Sequence, residues 1–141
     1  LVVTPEGTLK VMDFGTARLV EAPRGLTESG VLFGTPAYMP PESLRGGRAD
    51  ARGDVYAAGV VLYEALVGRA PFAASGGSPL VVLTHVLESP PRDPAEANPE
   101  VPRALADVVL RALAKDPDER PQSAAALLEE LDASVRRPVG A

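Results

Sequence analysis

Met12-Asp13-Phe14-Gly15 closes a short run patterned like a β-strand. A carboxylate at a strand end offers hard oxygens to Mg²⁺, and a following glycine lets the chain turn sharply, which suits work on a metal-bound phosphate. Taken alone, the tripeptide is better read as an ordinary Asp-containing turn, because three-residue matches arise often by chance. It does not stand alone. Nineteen residues after Gly15 comes Gly34-Thr35-Pro36-Ala37-Tyr38-Met39-Pro40-Pro41-Glu42. Twelve residues after Glu42 comes Asp54-Val55-Tyr56-Ala57-Ala58-Gly59, and near the end stands Ala114-Lys115-Asp116-Pro117-Asp118-Glu119-Arg120-Pro121.

Other chemistries are closed off by composition. There is no cysteine, which excludes disulfides, thiolate catalysis and Cys-based metal sites. His85 is the single imidazole, so a Ser-His-Asp triad would have to use it. It lies among Val82, Leu83 and Val86 and reads as a packed or surface residue without a role. Fourteen Lys and Arg against nineteen Asp and Glu give a net charge of −5, which argues against nucleic acid or a polybasic membrane surface as partner. The longest strongly apolar stretch is the nine residues from Val55 to Tyr63, well short of the roughly 20 that a membrane span needs.

The elements that must position these residues follow from periodicity. Leu1 to Thr4 and Thr8 to Met12 flank the turn signal Pro5-Glu6-Gly7 and read as a hairpin. From Asp13 to about Pro41 no period is sustained, and a stretch of that length within a compact domain is usually functional. From about Ala51 the pattern turns helical and apolar on all sides, which predicts a buried central helix ended by Gly68. Ser78-Pro79 looks like a helix start, with Leu80, Leu83 and Leu87 on one side. Ser89 to Pro102, with five prolines, reads as a linker. Leu105, Val108, Val109, Ala112 and Leu113 form one face of a further helix, and a last helix runs from a Ser123 cap through Leu127, Leu128 and Leu131. The expected fold is mainly α with a small β-hairpin.

In this order and spacing, the motifs resemble the C-terminal half of a protein serine/threonine kinase, most like the bacterial receptor-type branch. The resemblance covers nearly the whole chain: residues 1–135 as a partial kinase domain, with 136–141 as a tail or the start of a linker. It implies the kinase C-terminal lobe, truncated at its N-terminal side. Asp13 matches the Mg²⁺-binding aspartate that bridges the β- and γ-phosphates of ATP, with Phe14 packed beneath it and Gly15 completing the motif. Residues 16–33 match the activation loop, and Thr27 and Ser29 lie where the family places activating phosphosites. Two solvated loop hydroxyls remain the equal alternative there.

Gly34, Thr35, Pro36 and Tyr38 fall in the loop that receives the substrate residue after the phosphoacceptor. Thr35 matches the hydroxyl that supports the catalytic base in Ser/Thr kinases. Glu42 matches the glutamate of the family's A-P-E, with Pro40 where alanine is usual, and Arg120 matches the arginine that pairs with it. Asp54 matches a buried aspartate that opens the central helix and caps the catalytic loop; without the flanking motifs it would read as a plain N-cap.

The Gly-rich loop, the strand lysine, its helix glutamate and the H-R-D-x-x-x-x-N run are not in these residues. The catalytic base is therefore expected upstream of Leu1, and the isolated chain is expected to be inactive. Val2, Val11 and residues around Val55 are expected to face that outside part. The implied function is a fragment of a kinase that transfers the γ-phosphate of MgATP to Ser or Thr of protein substrates, with self-association or autophosphorylation as further contacts. The alternative is a non-catalytic remnant, a pseudokinase piece that binds proteins. The parent is expected in the cytoplasm, anchored to a membrane only through segments outside this chain.

Overall fold

Thr4 to Thr8 closes the first element. The Thr4 and Thr8 backbones bond at 2.9 Å, and Gly7 takes the left-handed φ of 82° that the tight turn requires. The strands it joins, β1 (Val2–Val3) and β2 (Leu9–Lys10), pair antiparallel with Val2 opposite Lys10 and Val3 opposite Leu9. The computed structural model describes residues 1–12, 36–48, 50–72 and 79–136.

The remaining regular elements of the described chain are helical. A 3-10 turn at Pro36–Tyr38 leads into α1 (Pro41–Leu44), which starts on a proline, where its missing N–H is no loss. Gly46, at φ 79°, ends α1, with its N–H bonded to the Ser43 carbonyl and the Gly47 N–H to the Glu42 carbonyl at 2.8 Å. This paired bond pattern is the Schellman stop, and it fixes the turn that carries Glu42.

The central helix α2 (Ala51–Val67) is capped by Asp50, whose side chain accepts from the Arg52 N–H. Gly68, left-handed at φ 79°, closes it. Gly53, Val55, Tyr56, Gly59, Val60 and Tyr63 are buried, and Ala57, Ala58, Val61 and Leu62 partly so, as a helix apolar on all sides requires. At Gly59 the crossing with the next long helix is so close that a Cβ would meet Ala112 Cβ at 2.9 Å.

Helix α3 (Pro79–Glu88) sits against α1 and the Pro36–Tyr38 turn. Its buried residue is Val86, with Val82 packed on the core, whereas Leu80 is exposed; the expected Leu80–Leu83–Leu87 stripe is thus only its flank. The expected Ser78 cap lies outside the described residues. Within the proline-rich stretch a short helix, α4 (Pro94–Ala97), is nucleated by the Asp93 cap and Pro94 at its first position. That corrects the linker reading. Asn98 ties its end to the Leu66 carbonyl of α2 at 2.8 Å.

Helices α5 (Arg103–Ala112) and α6 (Ala124–Arg136) pack on each other and on α2, joined through a 3-10 turn at Pro117–Glu119. Ser123 caps α6 through the Ala126 N–H, and Arg136, expected in the tail, is its last residue.

One core gathers Tyr56, Val60 and Tyr63 of α2 with Phe72, Val86, Val109 and Leu113. A second joins Val55 to Val108, Ala112 and Leu127. Val55 is therefore covered by α5 and α6 and does not face outward, whereas Val2 and Val11 are exposed.

Candidate functional site

The described site is built around Arg120, which follows the 3-10 turn and is one of two polar or charged residues in the buried set. A guanidinium has five N–H donors in a planar fork. Nε donates to the Ala114 carbonyl at 2.8 Å. Nη1 donates to Glu42 Oε1 at 2.8 Å and to the Arg52 carbonyl at 3.1 Å. Nη2 donates to Glu42 Oε2 at 2.8 Å and to the Lys115 carbonyl at 3.2 Å. Every donor is thus used, and Tyr56 lies beneath with its ring centroid 4.9 Å from Cζ. Two parallel bonds to one carboxylate are the geometry for which arginine, unlike lysine, is shaped.

Glu42 answers this in its ionisation. Burial pushes its carboxyl up, but the Arg120 hydrogen bonds, its own backbone N–H and the Arg120 charge outweigh that, leaving it below the usual carboxylate range. Tyr56 shows the opposite balance. Burial raises its phenol, against a smaller opposing effect of the Arg120 charge, and its hydroxyl has no partner among the described residues.

A second link holds the Pro36–Tyr38 turn. The Tyr38 hydroxyl donates to Glu64 Oε2 of α2, and that bond, with burial and the carboxylate charge, raises the Tyr38 pKa. A third bridges the start of α2 to the turn after α5: Arg52 donates to Asp50 and, at 2.5 Å, to Asp118. Gln122 braces that turn by donating to the Arg120 carbonyl at 2.6 Å.

The structure therefore brings together Glu42 and Arg120, 78 residues apart in sequence, and fastens Tyr38, two residues after Pro36, onto the central helix. Asp54 is exposed one turn into α2, and Asp50 holds the cap position, so neither the burial expected of Asp54 nor its reading as an N-cap holds here. Asp13, Phe14, Gly15, Thr27, Ser29, Gly34 and Thr35 lie outside the described residues.

Glu64 and Asp50 were missed from sequence, yet each carried a signal. Glu64 is the single charge between Val55 and Val67, and an Asp just before a helical pattern is a favoured cap. Among the described residues no group of three or more His, Asp or Glu could hold a metal ion. No helix among them is long and apolar enough to cross a membrane.

A helical body on which a buried arginine pins a short helix from far upstream matches a known fold. The twitchin kinase region from C. elegans superposes with a TM-score of 0.63 at 22% identity, covering 79% of this chain and 19% of that one. The family model for the protein kinase domain matches residues 1–131, and the chain belongs to that family. Among curated relatives, the DNA damage-responsive serine/threonine-protein kinase RqkA of Deinococcus radiodurans is 51% identical over 121 residues, 86% of this chain and 18% of its own length. Serine/threonine-protein kinase Pkn1 of Myxococcus xanthus is 43% identical over 131 residues, 93% of this chain and 19% of its own. PknB of Mycolicibacterium smegmatis is 41% identical over 132 residues, 93% of this chain and 21% of its own. The chain thus spans about a fifth of the length of these bacterial relatives.

Proposed function

We propose that this chain is the activation segment and substrate platform of a serine/threonine kinase whose complete domain transfers the γ-phosphate of MgATP to Ser or Thr of protein substrates. The observation that carries the reading is the bidentate Glu42–Arg120 pair, which fastens the end of the segment from Asp13 to Glu42 onto the helical body. In this reading Asp13 ligates Mg²⁺, Thr35 supports the catalytic base, and Pro36 and Tyr38 shape the surface that receives substrate. Phosphorylation of Thr27 and Ser29 adds charge that an arginine of the upstream catalytic loop would hold. Phosphoryl transfer depends on positioning and electrostatics, so without the phosphate clamp and base the 141 residues alone do not catalyse it.

The test compares three samples given labelled MgATP and a generic protein substrate. The complete kinase domain is expected to transfer label, while its Asp13→Asn form and the 141-residue chain stay at background. Transfer by the Asp13→Asn domain at the unmodified rate would overturn the assignment of Asp13. A complete domain that binds protein substrate without ever transferring label would favour the non-catalytic reading.

A further inference from the structure

At the last turn of α3 the His85 carbonyl accepts the Ser89 N–H at 3.0 Å, whereas the residues four on from Val86 and Leu87 are Pro90 and Pro91, which have no N–H to give; two cations from separate segments reach these three carbonyls. Lys115 Nζ donates to the Val86 carbonyl at 2.6 Å and the His85 carbonyl at 3.3 Å. Arg45 Nη2 donates to the Leu87 carbonyl at 3.1 Å. Lys115 also stands 3.9 Å over the Phe72 ring. Neither cation has a carboxylate partner among the described residues; the α3 carbonyls hold both, with the Phe72 ring as a further contact for Lys115.

Both cations are rooted in the Glu42–Arg120 pair. Arg45 immediately follows α1, which carries Glu42, and the carbonyls of Ala114 and Lys115 are themselves bonded by Arg120. A closed ring results: Glu42 to Arg120, Arg120 to the Lys115 backbone, Lys115 to α3, α3 to Arg45, and Arg45 back to α1. Helix α3 in turn packs against the Pro36–Tyr38 turn.

We propose that Lys115 and Arg45 are positioning residues: together they clamp the C-terminal end of α3 and make the seating of α3 against the Pro36–Tyr38 turn depend on the Glu42–Arg120 pair. Cations at a helix C-terminus are favourable because the last carbonyls carry the negative end of the helix dipole. Lysine and arginine divide the work by reach, one taking two carbonyls as a point charge and the other a third from the opposite flank. The consequence for protein substrate rests on the platform reading above; the clamp itself does not.

The experiment uses the complete kinase domain with Lys115→Met, Arg45→Met, both together, and Lys115→Arg. Amide hydrogen exchange in the last turn of α3, from Leu87 to Ser89, is measured with and without Glu42→Gln. Each Met substitution is expected to speed exchange there about three- to tenfold, with Lys115→Arg restoring most of the protection. Glu42→Gln is expected to speed the same amides when both cations are present and to add nothing once both are Met.

Steady-state kinetics on the same variants should show KM for a protein substrate rising severalfold while KM for ATP stays unchanged. Unchanged exchange in the double Met variant would overturn the clamp. So would a Glu42→Gln effect on α3 that persists without the two cations. Altered exchange with an unaltered protein-substrate KM would overturn its role in positioning the platform. Failure of the kinase reading itself would show differently, as an unmodified domain that transfers no phosphate while the exchange pattern stands.

Discussion

Val3 in the hairpin is 65% exposed, whereas Val60 in α2 is 0% exposed. The residue type is the same and the outcome is opposite. In the hairpin, Leu1, Val2, Val3, Leu9, Val11 and Met12 are all exposed. Among the described residues these two strands of two residues each have no third strand, and an isolated two-stranded hairpin is marginal in water. In the helical body every long helix offers its apolar face to another, and α2 is covered on most of its circumference. Burial is thus decided by what an element packs against. The hairpin carries the sequence that leads to Asp13, while the body carries the pair that anchors the far end of the same segment.

That contrast predicts a graded set of outcomes. The largest is Phe72→Ala, which removes a core ring and the surface beneath Lys115; a loss of about 3–5 kcal/mol in denaturant unfolding is expected. Next is Gly59→Ala. The added methyl gains helix propensity but meets Ala112 Cβ at 2.9 Å, and alanine has no flexible end to yield. The overpacking wins, for a net loss on the order of 1 kcal/mol in the same assay.

A smaller effect comes from pH. Burial lowers the Lys115 pKa to about 8, helped by the positive charges of Arg45 and Arg120. Between about 8 and the ordinary lysine value the unfolded chain binds more protons than the folded one, so stability attributable to Lys115 rises with pH across that window. The gain stays well below the ~1.4 kcal/mol per pH unit of a fully buried group, because this side chain is only partly buried. Unfolding midpoints at pH 7.5 and 9.5 should diverge between the unmodified protein and Lys115→Met in that direction. The smallest effect belongs to the hairpin: Val3→Thr should change stability by no more than about 0.5 kcal/mol. A large loss there would mean that the exposed strands support the body after all.

The four long helices were legible because each runs long enough to show a period and carries a chemical start or stop, such as Gly68 or Ser123. Helices α1 and α4 were not, since four residues make a single turn with no repeat to read. The buried face of α3 was misjudged because Leu and Val are interspersed around it, and its partners, not its composition, select Val86. For the site, local pattern could not connect Glu42 with Arg120 across 78 residues; the family resemblance did. Resemblance also supplied the burial of Asp54, which this chain does not show, because the backbone it is expected to cap is not among the described residues. Lys115 gave no local sign, as its role depends on a helix end that reaches it through the fold.

The central claim is that Glu42 and Arg120, the first partly and the second fully buried, act as one unit joining the end of the proposed activation segment to the helical body. A double-mutant cycle of Glu42→Gln and Arg120→Met in the complete kinase domain, read by denaturant unfolding, tests it most directly. The side chain of Arg120 is 0% exposed and that of Glu42 18%. Losing one partner is therefore expected to cost about 3–5 kcal/mol, because it strands the other charge, and losing both to cost clearly less than the sum. Strictly additive effects, each within about 0.5 kcal/mol as for two independent surface charges, would contradict the account.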